Sequence, residues 1–162
     1  MPRFVYSTVI PAPVEKVFAF HEQPDALERL TPPFAPVRVL RRAGGIQPGA
    51  LVELEIPIGP FRKRWLARHT EYERNRLFAD VQEEGPFRRW VHYHRFEPLG
   101  PNETRLTDDV EFSLPGGAWM DFLGGWFARL QLRRMFRYRH EATRRAVVES
   151  DLPRRGPRAI PC

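Results

Sequence analysis

The sequence predicts one α+β domain, a curved antiparallel sheet of seven strands covered on its apolar face by a long C-terminal helix. Three observations carry this. Residues 3–10 and six later segments have strand composition and are separated by short Gly, Pro or Asn breakers. Two short helical segments fall between the first strand and the second. From Ala118 to Glu149 no proline interrupts a helical pattern.

Taken in order, RFVYSTVI at 3–10 is rich in β-branched and aromatic residues and ends at Pro11. Pro13 suits a first helical turn, and Val14, Val17, Phe18 and His21 recur at helical spacing over 13–22. Asp25 can cap a second short helix, ALERL, and three prolines make 31–36 a loop. The remaining strands are expected at 37–42, 50–57, 63–73, 77–84, 87–97 and 104–113. Their short links imply an antiparallel meander. The domain is expected to span 1–149, with a Pro/Arg-rich disordered tail at 150–162.

Composition narrows the function classes. The chain has 162 residues and a net charge of +6, with 24 of its 26 basic residues Arg. Residues 1–128 sum to −1 and residues 129–162 to +7, so the basic character belongs to the C-terminal segment. With 17 prolines this looks more like codon bias than a phosphate-binding surface. No aromatic RNA-binding motif, helix-turn-helix pattern or Cys/His finger points to nucleic acid. The lone Cys162 excludes a disulfide framework, and no apolar run approaches the ~20 residues of a membrane span. The start carries no secretory pattern, so the cytoplasm is the expected compartment.

Several stretches together resemble the START-like, or SRPBCC, superfamily with its helix-grip fold. They are Ile10-Pro11-Ala12-Pro13-Val14-Glu15-Lys16-Val17-Phe18, Leu30-Thr31-Pro32-Pro33, Arg64-Trp65-Leu66-Ala67-Arg68-His69 and Phe78-Ala79-Asp80-Val81-Gln82. The segment from Gly85 to Phe96 and the run Phe136-Arg137-Tyr138-Arg139-His140 complete the set. The resemblance covers about residues 3–148 and is nearest to the bacterial cyclase/dehydrase-like group. It implies a hydrophobic ligand held between sheet and C-terminal helix, no obligatory cofactor, and no universal catalytic residue. The superfamily shares a scaffold and not one reaction.

Strand parity locates the polar chemistry independently. Trp90, His92, His94 and Phe96 share one face of their strand, and the aromatic ends make it the inner one. Hairpin pairing adds Phe78, Asp80 and Gln82 on one side and Leu106, Asp108, Val110 and Phe112 on the other, with Trp65, Ala67 and His69 beyond. The expected ligand-binding set is Trp65, Ala67, His69, Phe78, Asp80, Gln82, Trp90, His92, His94, Phe96, Val110, Phe112, Trp126, Leu132 and Phe136.

Three histidines and two carboxylates on one concave face call for an account, because a buried polar group left unpaired costs ~1–3 kcal/mol. They can pair with each other or lie at a wet end of the sheet. They can orient a ligand in a mostly apolar pocket. His92, His94 or His69, held by Asp80 or Asp108, can serve as the acid and base of a cyclase, aromatase or dehydratase. His92-x-His94 with His69 also has permissive metal-ligand spacing, although no metal or other cofactor is expected. No nucleophile elbow, P-loop or dinucleotide fingerprint is present, so any reaction here proceeds without a covalent intermediate.

The C-terminal segment carries two apolar stripes. Trp119, Phe122, Leu123, Trp126, Phe127 and Leu130 form the first; Leu132, Phe136, Thr143 and Val147 form the second, with His140 at its edge. They are rotated well apart, so the expectation is two pieces broken near Gly124-Gly125. The earlier piece would plug the core, act as a lid with the Pro32-Pro33-Phe34 loop, or touch a membrane beside the Arg stripe of Arg133, Arg137 and Arg144. That last role belongs to a third functional class, an accessory protein for membrane lipids or quinones. The open first strand and the aromatics leave monomer and homodimer both open.

Overall fold

The computed structural model describes residues 2–116 and 118–149, with backbone alone at 118 and 120–123. Strand β1 (Arg3–Ile10) leads into helices α1 (Val14–His21) and α2 (Ala26–Arg29). Then come β2 (Arg38–Ala43), β3 (Leu51–Ile58), β4 (Phe61–Glu73), β5 (Leu77–Glu84), β6 (Arg89–Gly100), β7 (Glu103–Ser113) and α3 (Ala118–Glu149). The seven strands form one sheet in the order β1-β7-β6-β5-β4-β3-β2, every pair antiparallel. This is the helix-grip α+β fold.

The meander follows from its turns. Gly59 takes φ 58° between β3 and β4, and Asn75 takes φ 61° between β4 and β5; both are left-handed positions that Gly and Asn tolerate best. A register shift between His69 and Glu71 in the β4–β5 ladder has a packing consequence. It moves the side-chain alternation by one, so that His69 is buried while Tyr72, three residues on, also reaches the inner face and meets the Phe18 ring edge-on at 5.6 Å.

Two apolar clusters fill the inner face. One surrounds α1 and holds Ile10, Val17, Phe18, Phe78, Phe96, Leu106 and Val147. The other holds Phe4, Trp65, Trp90, Val110, Phe112, Leu132 and Phe136. Each large side chain so buried stabilises by roughly 1.5–3 kcal/mol. Helix α3 lies over β1 and β7 and against α1, and it touches both clusters.

The expected break in the C-terminal helix does not occur: α3 is one helix of 32 residues. A break would give up backbone hydrogen bonds, whereas a glycine in a helix interior costs only ~1 kcal/mol. The second stripe is buried as expected, and the first stays outside, with Trp119, Trp126, Phe127 and Leu130 exposed. Phe122 and Leu123 of that stripe lie outside the described side chains. Gly124 serves packing, since a Cβ there would come within 3.0 Å of Leu114 Cδ1. Arg133, Arg137 and Arg144 face solvent. The tail at 150–162 lies outside the described residues.

Candidate functional site

Between the two apolar clusters runs a belt of buried and half-buried polar side chains. Along β6 the order is Trp90, His92, His94, Phe96, so two imidazoles separate two aromatic anchors. Along β7, Asp108 lies between Leu106 of one cluster and Val110 of the other. Pairing aligns the belt across the sheet: Asp108 lies opposite His94, His92 opposite Asp80, and Asp80 opposite His69. Helix α3 closes it from above with Arg139 and His140, placed between Phe136 and Val147.

Asp108 is the hub. Its Oδ1 accepts hydrogen bonds from His92 Nε2 and from His94 Nδ1, each at 2.8 Å, and its Oδ2 accepts from His140 Nε2 at 2.6 Å. Beyond His140, Nδ1 meets the Thr8 hydroxyl at 2.7 Å. On the other side Asp80 Oδ1 lies 3.4 Å from His94 Nε2 and 3.7 Å from His92 Nδ1. The His92 and His94 rings are 3.8 Å apart, Phe78 stacks on His94 at 4.0 Å, and Phe136 meets His92 edge-on at 5.1 Å.

The electrostatics follow from burial set against charge. Burial alone would raise the Asp108 carboxyl, but the His94 charge and the three imidazole donors outweigh it and hold it well below the usual carboxylate range. An ionised carboxylate only accepts, so each imidazole nitrogen facing it carries the ring proton. For His94, burial is outweighed by Asp108 and Asp80, and its pKa is raised. Burial, reinforced by the His94 charge, lowers His92. Burial also lowers His69 and the Arg139 guanidinium. Burial would raise Asp80, yet the His94 hydrogen bond and the surrounding imidazole charges lower it.

Two belt nitrogens are buried without a hydrogen-bond partner, His69 Nδ1 from β4 and Arg139 Nε from α3. Both feel the charge of Asp80. The belt also approaches the surface. An open groove of about 700 Å³ runs between β1 and α3, with Tyr6, Thr8, Phe34, Tyr138 and His140 in its walls and Arg134, Arg137 and Arg144 along it.

Of the residues expected from sequence, His69, Asp80, His92, His94 and Asp108 come together in the belt. Trp65, Ala67, Phe78, Trp90, Phe96, Val110, Phe112, Leu132 and Phe136 are buried in the flanking clusters. Gln82 is spent locally, its side-chain amide donating to the Phe87 carbonyl at 2.7 Å. Trp126 stands apart, 64 % exposed. Sequence reasoning left His140, Arg139, Thr8 and His21 out of the site. His140 had a signal, a polar side chain one helical turn from Phe136 on the buried stripe. His21 is buried against Phe96 with Nδ1 on the Val17 carbonyl.

A curved seven-stranded antiparallel sheet gripping a long C-terminal helix is the helix-grip scaffold of START-like proteins. The family described as polyketide cyclase / dehydrase and lipid transport matches residues 10–137, and the chain belongs to it. Among solved structures, a protein from Thermus thermophilus shares 20 % identity with a TM-score of 0.70, over 93 % of this chain and 100 % of that one. Norcoclaurine synthase from Thalictrum flavum, in complex with dopamine and hydroxybenzaldehyde, shares 12 % identity with a TM-score of 0.71, over 94 % and 89 %. The Zhui aromatase/cyclase from a Streptomyces species shares 18 % with a TM-score of 0.62, over 92 % of each chain. At these identities the likeness is one of fold. None of the curated proteins compared with the chain matches it. Among the described residues no helix is long and apolar enough to cross a membrane.

Proposed function

We propose that this chain binds a hydrophobic small molecule between sheet and α3, with an oxygen-bearing polar end directed at the belt around Asp80. The observation that carries this reading is the pair of buried, unpartnered nitrogens, His69 Nδ1 and Arg139 Nε, one from each wall. An unpaired buried polar group costs ~1–3 kcal/mol, and a guest carboxylate, enolate or phenol oxygen relieves it by accepting from Arg139. The flanking aromatics suit the apolar body of such a guest, as in small-molecule sites generally. The family's description, which joins cyclase/dehydrase activity with lipid transport, agrees with this class.

Native mass spectrometry of the purified protein, followed by organic extraction, tests the reading directly. The expected result is a co-purifying molecule released on denaturation. In parallel, fluorescence of Trp65 and Trp90 is followed against aromatic and acyl carboxylates and their neutral analogues. Saturable binding of the anions, weakened about tenfold or more in Arg139→Met, is expected from the loss of a charge-assisted hydrogen bond. No co-purifying molecule together with no saturable fluorescence change overturns the proposal, as does binding indifferent to Arg139.

A second reading is favoured by the continuous chain from Thr8 through His140, Asp108 and His94 to Asp80. It links the β1–α3 groove to the interior and suits proton transfer in an aldol cyclisation or dehydration. Turnover of a poly-β-keto substrate, lost in His94→Gln with binding retained, separates catalysis from binding alone.

A further inference from the structure

We propose that Asp80, His92 and His94 form a binding site for a divalent d-block cation of the zinc and cobalt class, with Asp108 as the carboxylate that orients both imidazoles from behind. His92 and His94 are two residues apart on β6, and register places Asp80 of β5 opposite His92. Each imidazole gives one ring nitrogen to Asp108 Oδ1, at 2.8 Å. In a neutral ring the other nitrogen is a bare lone pair. Those nitrogens, His92 Nδ1 and His94 Nε2, are the ones turned to Asp80 Oδ1, at 3.7 and 3.4 Å. One cation already stands there, the proton that His94 Nε2 turns to Asp80 Oδ1, and a metal ion would take its place.

The spacing fits a metal ion. A tetrahedral centre with bonds of ~2.0–2.1 Å holds its ligand atoms ~3.3–3.5 Å apart. Two edges of the triangle are already near that length, and one donor atom from each of the three residues lies within 4.8 Å of the others. The remaining edge, between the two imidazole nitrogens, is set by side-chain rotation. Two imidazoles and one carboxylate make a borderline donor set that suits Zn²⁺ or Co²⁺ and disfavours Ca²⁺ and Mg²⁺. A carboxylate hydrogen-bonded to the outer nitrogen of each ligating imidazole is the usual support of such sites. Here Asp108 is itself held by His140, which is braced on Thr8. Asp80, half-buried, and Asp108, buried, supply the two negative charges that a divalent ion requires. The fourth position is left to water or to an oxygen donor. This site does not depend on the ligand-binding reading above.

The test uses the full chain without a polyhistidine tag, carrying Cys162→Ser so that no thiol competes. After chelator treatment the protein is titrated with Co²⁺. The expected result is one equivalent bound, with visible ligand-field bands that Zn²⁺ abolishes, and a rise in Tm on adding Zn²⁺. Asp80→Asn and His92→Gln each weaken uptake at least about tenfold, Asp108→Asn weakens it about 10–100-fold, and Glu97→Gln, at an exposed side chain paired with Arg105, leaves it unchanged. Circular dichroism establishes that each variant is folded. The wild-type titration decides alone if a variant is not: absence of saturable uptake and of ligand-field bands overturns the proposal. Uptake that persists in a folded Asp80→Asn/His92→Gln double variant overturns it equally, as an adventitious ion only.

Discussion

Replacing Asp108 by leucine strands three imidazole N–H groups at once, those of His92, His94 and His140. His92 and His140 are 3 % and 2 % exposed, so water cannot take the place of the carboxylate. Three orphaned donors at ~1–3 kcal/mol each span about 3–9 kcal/mol, and the ~3–5 kcal/mol of breaking one buried charged pair falls at the lower end, so a loss of at least about 3 kcal/mol is expected. That is a large share of the ~5–15 kcal/mol typical of a domain. Asp108→Asn keeps one acceptor oxygen but turns an NH₂ toward an imidazole donor, and is expected to cost about 2–3 kcal/mol. The adjacent Asp109 is the internal control. It is also buried, but its partner is Arg3, whose side chain is 61 % exposed, so Asp109→Asn is expected to cost about 1 kcal/mol or less. Urea unfolding at neutral pH, with the m-value checked for constancy, measures all three. A loss below about 1 kcal/mol for Asp108→Leu would refute the hub, because the imidazoles would then have found other partners.

Three further outcomes follow from burial. The His21 pKa is pushed down by burial to about 4. The unfolded chain therefore takes up its proton first, and stability falls as pH drops from about 6.5 to about 4. At ~1.36 kcal/mol per pH unit this reaches about 3 kcal/mol. His94, whose pKa is raised, acts only above about pH 6.5, whereas His92 and His69, lowered by burial, act in the same direction as His21, so the quantity to measure is the difference between wild type and His21→Phe; a difference independent of pH sinks the argument. Phe136→Ala empties the centre of one apolar cluster where Phe136 stacks on Phe4 at 5.7 Å, and should cost about 3–5 kcal/mol in the same denaturation assay. Trp119→Gln with Trp126→Gln, at side chains 76 % and 64 % exposed, should change unfolding free energy by under about 0.5 kcal/mol each; a larger loss shows that these rings pack on something.

Much of the candidate site was legible because strand parity is a local rule. Once Trp90, His92, His94 and Phe96 were placed on one face, hairpin connectivity brought Asp80 and Asp108 beside them, and the ladders agree. The continuity of α3 was not legible. Two out-of-phase stripes argue for a bend only if both must be buried, and sequence does not say which stripe has a surface to bury against. His140 and Arg139 stayed out of the site for a related reason. The His140 bonds to β1 and β7 span sequence separations of 132 and 32 residues, which no local period encodes.

By itself the sequence determined the order of elements, the turns and the inner face of the sheet, since backbone preference and side-chain alternation act over a few residues. The tertiary structure alone decided where α3 lies, and therefore that one carboxylate collects three imidazoles between two apolar clusters. Hydrogen-bond geometry depends on ångström distances between segments far apart in the chain. Those distances are fixed by how the aromatic clusters on either side of the belt pack, not by any pattern within a segment.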